Sequence, residues 1–466
     1  MKESLTHIIK MFETNLEKFR KDLIEEIDLF SLNEDVKIRH VFKESNGKVV
    51  NTVTVDGKVY AYGNLIGNPK SKLVETRLIK RYAKLSIYKA LSAFTGKSLP
   101  WGALTGIRPT KMAYTEMANG QDFEEFFRNT MKVSDEKVLL TKRVIESQEG
   151  IYRRSDDDTD FFVFIPFCPS RCKYCSFITA DLQSARKHVD EYVDTLIYEI
   201  EQSAKYIKNL RSIYIGGGTP VSLSYENLEK VLKAVSKINT GVEYTVEAGR
   251  PDCITKENLE LLMEYGVTRI CINPQTFNDE TLQRIGRYHS AEQIIEKYQL
   301  AKEKFIINMD LIAGLDGETV EDFMRSIEKT ISLSPDNVTV HTLSVKHGSN
   351  LAKSVKFLEK GEIEQMINYA DKRLSEEGYN PYYLYRQKYM AGNLENVGYS
   401  KKGKECVYNI DVMEETTSVV ACGAGSISKR VFTLEDRIER YASPKDVATY
   451  IGKIEEILPK KDLLFK

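Results

Sequence analysis

The sequence predicts an α/β protein built around a partial barrel of six parallel strands. From residue 161 onward, short apolar runs alternate with longer helical patterns, as expected of βαβ units. Polar residues recur at the carboxyl ends of successive strands, where barrel sites gather. Turn signals and mixed patterning before this region indicate a separate unit. We therefore predict an N-terminal α+β domain over 1–155, a partial (β/α)6 barrel over 156–345 and a C-terminal α/β extension over 346–466.

The individual elements follow from periodicity. In the N-terminal region we expect an amphipathic helix over 8–29, a meander of strands over 36–62 and a long helix over 73–94. The dipeptides Asn46-Gly47 and Asp56-Gly57 separate the strands and are typical hairpin turns. A polar run at 153–160 is interpreted as a linker. The barrel strands are predicted at 161–166, 212–215, 243–247, 268–272, 306–312 and 338–343, with helices near 185–208, 225–238, 255–264, 290–304 and 319–332.

Composition excludes several classes of function. The chain has 466 residues and a formal net charge of −1, so there is no global basic field of the kind that attracts nucleic acid. No apolar run is long enough to span a membrane, and the first residues do not follow the order of a signal peptide. Seven cysteines, mostly isolated, fit a reducing compartment. We expect a cytoplasmic protein without a transmembrane segment and without nucleic-acid partners.

Three cysteines follow the first barrel strand on one short loop: Cys168, Cys172 and Cys175. Three thiolates can bind three irons of a cubane cluster and leave the fourth iron open for a ligand, which is a catalytic arrangement. A zinc site usually needs a second cysteine or histidine pair, and a redox CxxC pair would leave Cys168 unexplained. A disulfide framework is not expected in a long, cysteine-poor chain. We predict an iron–sulfur cluster, with zinc and redox thiols as the open alternatives.

Polar residues at the ends of the other strands complete a candidate site. The run Gly216-Gly217-Gly218-Thr219-Pro220 lacks side chains that would keep a ligand away from the backbone donors. It has neither the dinucleotide-binding pattern nor the lysine of a P-loop. Glu247 ends the third predicted strand, Gln275 follows the fourth and Asp310 lies in the fifth. Each of these features alone has an ordinary structural explanation, such as a turn or a helix cap.

Two stretches carry cations that could meet an anion. Arg108 and Lys111 lie in a glycine-containing loop that also fits a helix start at Pro109. Arg386 and Lys388 alternate with aromatic residues, which suits a flat anionic ligand but also a solvent-facing edge strand. His289, His341 and His347 are interpreted as packing or capping residues.

The cysteine spacing, with an aromatic before the last cysteine, and the Gly-Gly-Gly-Thr-Pro run together resemble the radical S-adenosylmethionine (SAM) superfamily. Within it, the stretches 165–168, 216–220, 275–277, 286–287 and 310–315 resemble the oxygen-independent coproporphyrinogen III dehydrogenase (oxidase) family. The stretches 105–111, 385–388 and 393–399 resemble its HemZ-like branch.

The resemblance implies two cofactors, a [4Fe–4S] cluster on the three cysteines and SAM at the open iron. It implies SAM contacts at the following positions: Phe162, Tyr174, Gly217, Gly218, Thr219, Glu247, Gln275, Arg287, Asp310, Ser344 and Ile427. No catalytic side chain is expected beyond the cluster. A 5′-deoxyadenosyl radical would take hydrogen from propionate groups of coproporphyrinogen III, and loss of carbon dioxide would give protoporphyrinogen IX. The expected partners are this tetrapyrrole, held by Arg108, Lys111, Arg386 and Lys388, and an electron donor such as flavodoxin or ferredoxin.

Three positions depart from the family pattern. Phe162 and Phe164 stand where the oxidase has a tyrosine and a histidine, and Phe177 stands where it has a fourth cysteine. Phenylalanine at that last position is also the pattern of the haem-chaperone branch. A haem carrier that keeps the cluster and a radical SAM methyltransferase acting on tetrapyrroles are therefore the alternative interpretations.

Overall fold

The structure is a computed structural model that describes residues 11–33, 35–69, 71–105, 108–175, 180–344, 360–387, 390 and 393–466. The chain divides into two compact units, residues 1–142 and 143–466. The predicted division into parts 1–155, 156–345 and 346–466 stays a prediction. In the described part of the chain, no helix is both long and apolar enough to cross a bilayer.

The first unit contains a four-stranded sheet in the order β1-β2-β3-β4. The predicted meander is confirmed, because β2, β3 and β4 pair antiparallel through tight turns. Asn46 and Gly47 both have positive φ angles, as do Asp56 and Gly57, which is the geometry that two-residue hairpin turns require. The strands are β1 (Phe12–Thr14), β2 (Ile38–Ser45), β3 (Lys48–Val55) and β4 (Lys58–Leu65).

One helix prediction in this unit is wrong at its start. Residues 12–14 form β1, parallel to β2, instead of the predicted helix, which begins only at Arg20. The long helix is confirmed, with Ser71 as N-cap and Gly96 in the left-handed conformation at its end. The helices are α1 (Arg20–Asp28), α2 (Lys72–Thr95), α3 (Pro109–Ala118), α4 (Phe123–Glu125) and α5 (Asp135–Ser147), with a 3₁₀ turn at Glu17–Phe19 and a π-helical turn at Phe126–Met131.

The second unit contains an eleven-stranded sheet in the order β13-β14-β12-β11-β10-β9-β8-β5-β15-β16-β17. The run from β12 to β15 is parallel, and antiparallel strands flank it on both sides. The six predicted strands are confirmed, and the sheet is not closed. The strands of this sheet are β5 (Asp158–Ile165), β8 (Asn209–Gly217), β9 (Glu243–Gly249), β10 (Arg269–Ile272), β11 (Ile306–Ala313), β12 (Asn337–Thr342), β13 (Asn380–Tyr385), β14 (Asn396–Ser400), β15 (Ser418–Cys422), β16 (Ile427–Phe432) and β17 (Arg437–Ala442). Two short strands, β6 (Phe167–Cys168) and β7 (Ala180–Asp181), form a separate sheet.

The connecting helices begin at capping residues. Thr255, Ser290 and Thr319 each form a capping box at a helix N-terminus, which fixes where each βα loop ends. The helices are α6 (Leu182–Ala185), α7 (Val189–Ser203), α8 (Tyr225–Ser236), α9 (Lys256–Glu264), α10 (Asp279–Arg284), α11 (Ala291–Ala301), α12 (Val320–Leu333), α13 (Lys360–Glu376), α14 (Val407–Glu414), α15 (Val447–Gly452) and α16 (Ile454–Phe465). Short 3₁₀ turns lie at Arg186–His188, Ala204–Tyr206, Pro220–Ser222 and Pro251–Cys253.

The predicted linker is wrong in its second half, because β5 begins at Asp158 and its first polar residues are buried. Asp160 is fully buried and accepts hydrogen bonds from Ser212 Oγ at 2.6 Å and Thr417 Oγ1 at 2.5 Å. Burial, with a further contribution from the charge of Asp411, raises the pKa of Asp160 to about 8. These partners lie far away in sequence, so local polarity gave no sign of them.

The raised pKa of Asp160 predicts a pH-dependent stability. The unfolded carboxyl has a pKa near 3.9, so between about pH 4 and pH 8 the folded state binds a proton that the unfolded state lacks, and stability falls as pH rises. Asp160→Asn is neutral throughout, so its unfolding free energy relative to the unmodified protein should rise by at least about 1 kcal/mol from pH 5 to pH 8.5. Denaturant unfolding at both pH values measures this. The matched control is the exposed neighbour Asp157→Asn, and equal pH slopes for Asp160→Asn and the unmodified protein would contradict the prediction.

Candidate functional site

The three cysteines of the predicted cluster lie on the segment between β6 and β7. Cys168 ends β6, which pairs with β7, so the chain leaves and returns at the same place. The amide of Cys175 donates to the carbonyl of Cys172 at 3.1 Å, which closes a turn between the last two thiols. All three cysteines line one cavity of about 350 Å³ in the second unit. The three cysteines of this short loop therefore line the same cavity.

The ionised form of these thiols would be stabilised by a cation nearby. Burial raises the pKa of Cys168 to about 11, and repulsion from Cys175 and Cys172 adds to the effect, although Thr219 Oγ1, 3.5 Å from the sulfur, opposes it. Thiolates in this arrangement need a countercharge, which bound iron supplies. Among the described residues, no three His, Cys, Asp or Glu side chains converge closely enough for one metal ion. A cubane does not require that convergence, because its cysteines bind separate irons.

The glycine run packs the end of β8 against the cysteine segment. A Cβ added to Gly218 would lie 2.3 Å from the carbonyl oxygen of Phe167, and one on Gly217, where φ is +113°, would lie 2.8 Å from the ring of Phe164. The amides of Gly218 and Thr219 donate to the carbonyls of Ile165 and Phe167 at 2.7 Å each. The expectation that these amides face a ligand is therefore wrong. Gly217, Gly218 and Thr219 do line the cavity.

Glu247 projects into the cavity from β9 and is held on both carboxylate oxygens. Tyr214, on the neighbouring strand β8, donates its hydroxyl to Oε1 at 2.7 Å, and the amide of Gly217 donates to Oε2 at 3.2 Å. Burial raises the pKa of Glu247, and the charge of Asp310 raises it further, against the effect of these hydrogen bonds. Tyr214 lies only two residues before the glycine run and was not among the predicted site residues.

Asp310, on β11, is the second acid of the cavity. Its Oδ1 accepts from Asn308 Nδ2 at 2.7 Å, and its Oδ2 lies 3.7 Å from His341 Nε2. Burial raises the pKa of Asp310, but His341, Asn308 and Thr339 together outweigh it and bring that pKa below its usual value. The cavity thus holds one acid pushed towards its neutral form and one kept as an anion.

Buried polar atoms without a protein partner lie on the same cavity wall. Within the described part of the chain these include Oε1 of Gln275, Oδ1 of Asn273, Nε of Arg287, Oγ1 of Thr245 and Nε of Arg269. The backbone of Gln275 has φ of +69° and forms two hydrogen bonds with β11. Its amide donates to Asp310 O at 2.8 Å, and its carbonyl accepts from Ile312 N at 3.0 Å. An unsatisfied buried polar atom costs about 1–3 kcal/mol. A polar ligand would satisfy these atoms, and SAM has both donors and acceptors, so the residues fit it.

The structure brings most of the predicted cofactor residues to this cavity. Arg287 contacts Tyr174 and Cys172, and burial raises the pKa of Tyr174 well above its ordinary value. Two predicted contacts are not among the lining residues: Phe162, which stacks on Tyr408 with ring centroids 5.9 Å apart, and Ile427, which begins β16. The predicted residues that line the cavity are Cys168, Cys172, Cys175, Tyr174, Gly217, Gly218, Thr219, Glu247, Gln275, Arg287, Asp310 and Ser344. Their binding roles stay predictions.

The predicted substrate cations belong to different units of the chain. Arg108 and Lys111 belong to the first unit, where helix α3 begins at Pro109 directly after Arg108. Arg386 is only 3% exposed and donates through Nη2 to the backbone and side-chain oxygens of Asn393 at 3.1 and 2.6 Å. Lys388 and Phe177, like His347, lie outside the described residues.

Comparison with known proteins agrees with the fold. Residues 162–330 match the model of the radical SAM superfamily. The cysteine loop, the parallel strands and their polar ends thus define a radical SAM protein, and its cofactors are a [4Fe–4S] cluster and SAM.

Individual relatives narrow the family. The chain is 38% identical over 435 residues to the oxygen-independent coproporphyrinogen-III oxidase-like protein HemZ of Bacillus subtilis, covering 88% of this chain and 87% of the relative. It is 37% identical over 193 residues to the heme chaperone HemW of the same organism, covering 40% of this chain and 50% of the relative. The solved coproporphyrinogen III oxidase (HemN) of Escherichia coli shares the fold, with a TM-score of 0.52 and 20% identity over 70% of this chain and 74% of that chain. The chain belongs to the family of oxygen-independent coproporphyrinogen III oxidase-like proteins, in its HemZ-like branch.

The packing at Gly218 predicts that a single methyl group disrupts the cofactor site. Gly218→Ala should displace the cysteine segment, because its Cβ would overlap the Phe167 carbonyl, and overpacking costs about 1–3 kcal/mol. We expect most of the iron and SAM binding to be lost. Iron per chain after anaerobic reconstitution, together with equilibrium binding of SAM, measures both losses. Gly452→Ala is the matched control because nothing lies within 4 Å of its added Cβ; equal iron loading of the two variants would contradict the prediction.

Proposed function

We propose that the protein catalyses the oxygen-independent oxidative decarboxylation of coproporphyrinogen III to protoporphyrinogen IX. The observation that carries the proposal is one continuous cavity lined by the cysteine loop, by the polar strand ends and by three tyrosines, Tyr382, Tyr383 and Tyr385. A flat tetrapyrrole suits an aromatic wall. The 38% identity to an oxidase-like protein over 88% of the chain supports the same reaction.

When bound, the reduced cluster and SAM together supply a 5′-deoxyadenosyl radical that abstracts hydrogen. The protein residues bind and orient. Glu247 and Asp310 offer acceptor oxygens, and Gln275 and Arg287 offer one acceptor and one donor that have no partner in the described protein. The buried strands behind them keep water from the reacting groups. Each converted propionate would lose a hydrogen atom to the 5′-deoxyadenosyl radical, release carbon dioxide and pass one electron to an external one-electron acceptor, which leaves a vinyl group.

A haem carrier is the second candidate function. The 37% identity to a heme chaperone over 193 residues favours it, as does Phe177 at the position of the fourth cysteine. Such a protein would bind haem and release no decarboxylated product. The two functions therefore differ in a measurable product.

Anaerobic incubation tests the proposed reaction. Reconstituted protein with coproporphyrinogen III, SAM and a reductant should yield protoporphyrinogen IX and 5′-deoxyadenosine, measured by chromatography and mass spectrometry. Cys172→Ser should abolish both products because it removes a predicted cluster ligand. Cys253→Ser should retain them, since Cys253 lies outside the cavity lining.

Deoxyadenosine without any decarboxylated tetrapyrrole would refute the oxidase. A spectral shift at micromolar haem in the same preparation would then favour the carrier, and a methylated product would favour the methyltransferase.

We also propose that an acidic one-electron carrier, such as flavodoxin or ferredoxin, docks beside the cysteine loop. Arg171 and Lys173 are exposed there, and Tyr288 is 76% exposed on a turn that packs against them. The amide of Lys173 donates to Ile285 O at 2.9 Å, and a Cβ on Gly286 would lie 3.9 Å from Cys172 Cα. The basic surface is thus in contact with a predicted cluster ligand. Opposite charge accelerates association of a carrier.

Charge reversal tests this docking surface. Lys173→Glu should slow cluster reduction by flavodoxin about tenfold at low ionic strength, with a smaller difference in high salt, because the steering charge is reversed and salt screens it. Reduction by dithionite serves as the reference, since this small reductant needs no docking surface. Lys304→Glu is the matched control, being an exposed lysine just before the amino end of β11. If Lys173→Glu and Lys304→Glu slow the flavodoxin reaction equally, the docking surface lies elsewhere.

A further inference from the structure

The end of β13 presents alternate side chains to opposite sides. Tyr385 and Gln387 line the cavity, whereas Arg386 between them is buried against Asn393. Side chains alternate across a strand, so the orientation of Arg386 determines that of its two neighbours. This stretch therefore offers a ligand the phenol of Tyr385 and the amide of Gln387. The guanidinium of Arg386 instead forms hydrogen bonds within the protein.

Tyr385 does not face the cavity alone. Its hydroxyl lies 3.3 Å from Nδ1 of His341, on β12, and Nε2 of His341 lies 3.7 Å from Oδ2 of Asp310. In the tautomer that carries a hydrogen on Nδ1, the imidazole donates to the phenol oxygen. Because the hydroxyl of Tyr385 has one hydrogen, that hydrogen is then left for another acceptor. The pair thus offers the cavity a phenol hydroxyl as a hydrogen-bond donor.

The surrounding cavity wall has the same character. Gln387 lines the cavity two residues after Tyr385, and Ser344 lines it just beyond β12. The described lining residues from β12, from β13 and from the residues directly following them include no Asp or Glu. The acids Glu247 and Asp310 come from β9 and β11 instead. The residues of β12 and β13 that line the cavity thus present hydrogen-bonding groups of their own, and the nearby acid Asp310, 3.7 Å from His341, belongs to β11.

We propose that His341, Tyr385 and Gln387 form a subsite for a carboxylate group of the organic substrate. The inference rests on the proposed function in that the substrate is a tetrapyrrole bearing carboxylate side chains. Phenol and amide donors would bind the carboxylate oxygens, and His341 would orient the phenol through the contact of its Nδ1 with the Tyr385 hydroxyl. These three residues thus replace Arg386 as the groups that recognise the acid.

Binding of two stable porphyrins tests the subsite. Coproporphyrin III and its tetramethyl ester share one macrocycle and differ in carboxylate charge, and fluorescence titration of the cluster- and SAM-loaded protein gives both affinities. The unmodified protein should prefer the acid. Tyr385→Phe should lower the acid-to-ester affinity ratio about tenfold, the loss expected for one hydrogen bond to a charged group. His341→Gln should lower that ratio as well, because the imidazole that orients the Tyr385 hydroxyl is removed.

The matched control is Tyr379→Phe, which removes a hydroxyl that donates to Pro335 O at 2.5 Å, outside the cavity lining. Its acid-to-ester ratio should equal that of the unmodified protein. An unchanged ratio in Tyr385→Phe would overturn the subsite, as would an unmodified protein that binds acid and ester equally or binds neither.

Turnover of coproporphyrinogen III by the same variants separates this inference from the proposed reaction. If the unmodified protein decarboxylates the substrate and Tyr385→Phe has the same KM, the subsite is refuted and the reaction stands. If no decarboxylation occurs but the acid preference depends on Tyr385, the reaction is refuted and the subsite stands.

Discussion

Contact between the end of β8 and the cysteine segment is the constraint on which the rest of the site depends. Two amides, on Gly218 and Thr219, donate to carbonyls on either side of Pro166, and a side chain on Gly218 would overlap one of those carbonyls. The amide of Gly217 bonds Glu247. The same three-residue ridge therefore fixes where the cysteines begin and where the first acid points. Gly217 and Gly218 bring these two parts of the site into backbone contact, and only residues without a Cβ permit that approach.

Electrostatics then distinguishes the two acids of the cavity. Glu247 is buried with a neutral phenol as its partner, and its pKa is raised. Asp310 is also buried, but the imidazole of His341 keeps its pKa low. Two carboxylates ionised in one small cavity would repel each other, so these different partners lower the cost of placing both there. A ligand that carries positive charge finds an anion at Asp310 and a hydrogen-bonding acid at Glu247.

Much of this arrangement could be predicted from sequence because its signals are local. The barrel strands are short apolar runs, their helices begin at Ser or Thr caps, and parallel strands bring their carboxyl ends to one edge. That rule alone gathers Cys168, Glu247, Gln275 and Asp310 around a single cavity. The spacing of the cysteines also predicted the type of metal centre, an iron–sulfur cluster. What remained hidden was the direction of individual side chains, as with Arg386, whose orientation is tied to Asn393 in a later loop.

The errors share a physical cause, which is pairing between groups distant in the chain. The acids at the start of β5 have the composition of a solvated linker. Asp160 is nevertheless buried, because the hydroxyls of Ser212 and Thr417 donate hydrogen bonds to its carboxylate. Pairing between distant groups also fixes the position of β15. Glu199 on α7 pairs with Lys461 at 2.8 Å, both fully buried, and also accepts from Tyr450 and from the amide of Gly423. Removing either charge would leave the other buried without compensation. The turn after β15 is thus held by a helix more than two hundred residues earlier in the chain, so the position of this last parallel strand depends on partners that no local pattern specifies.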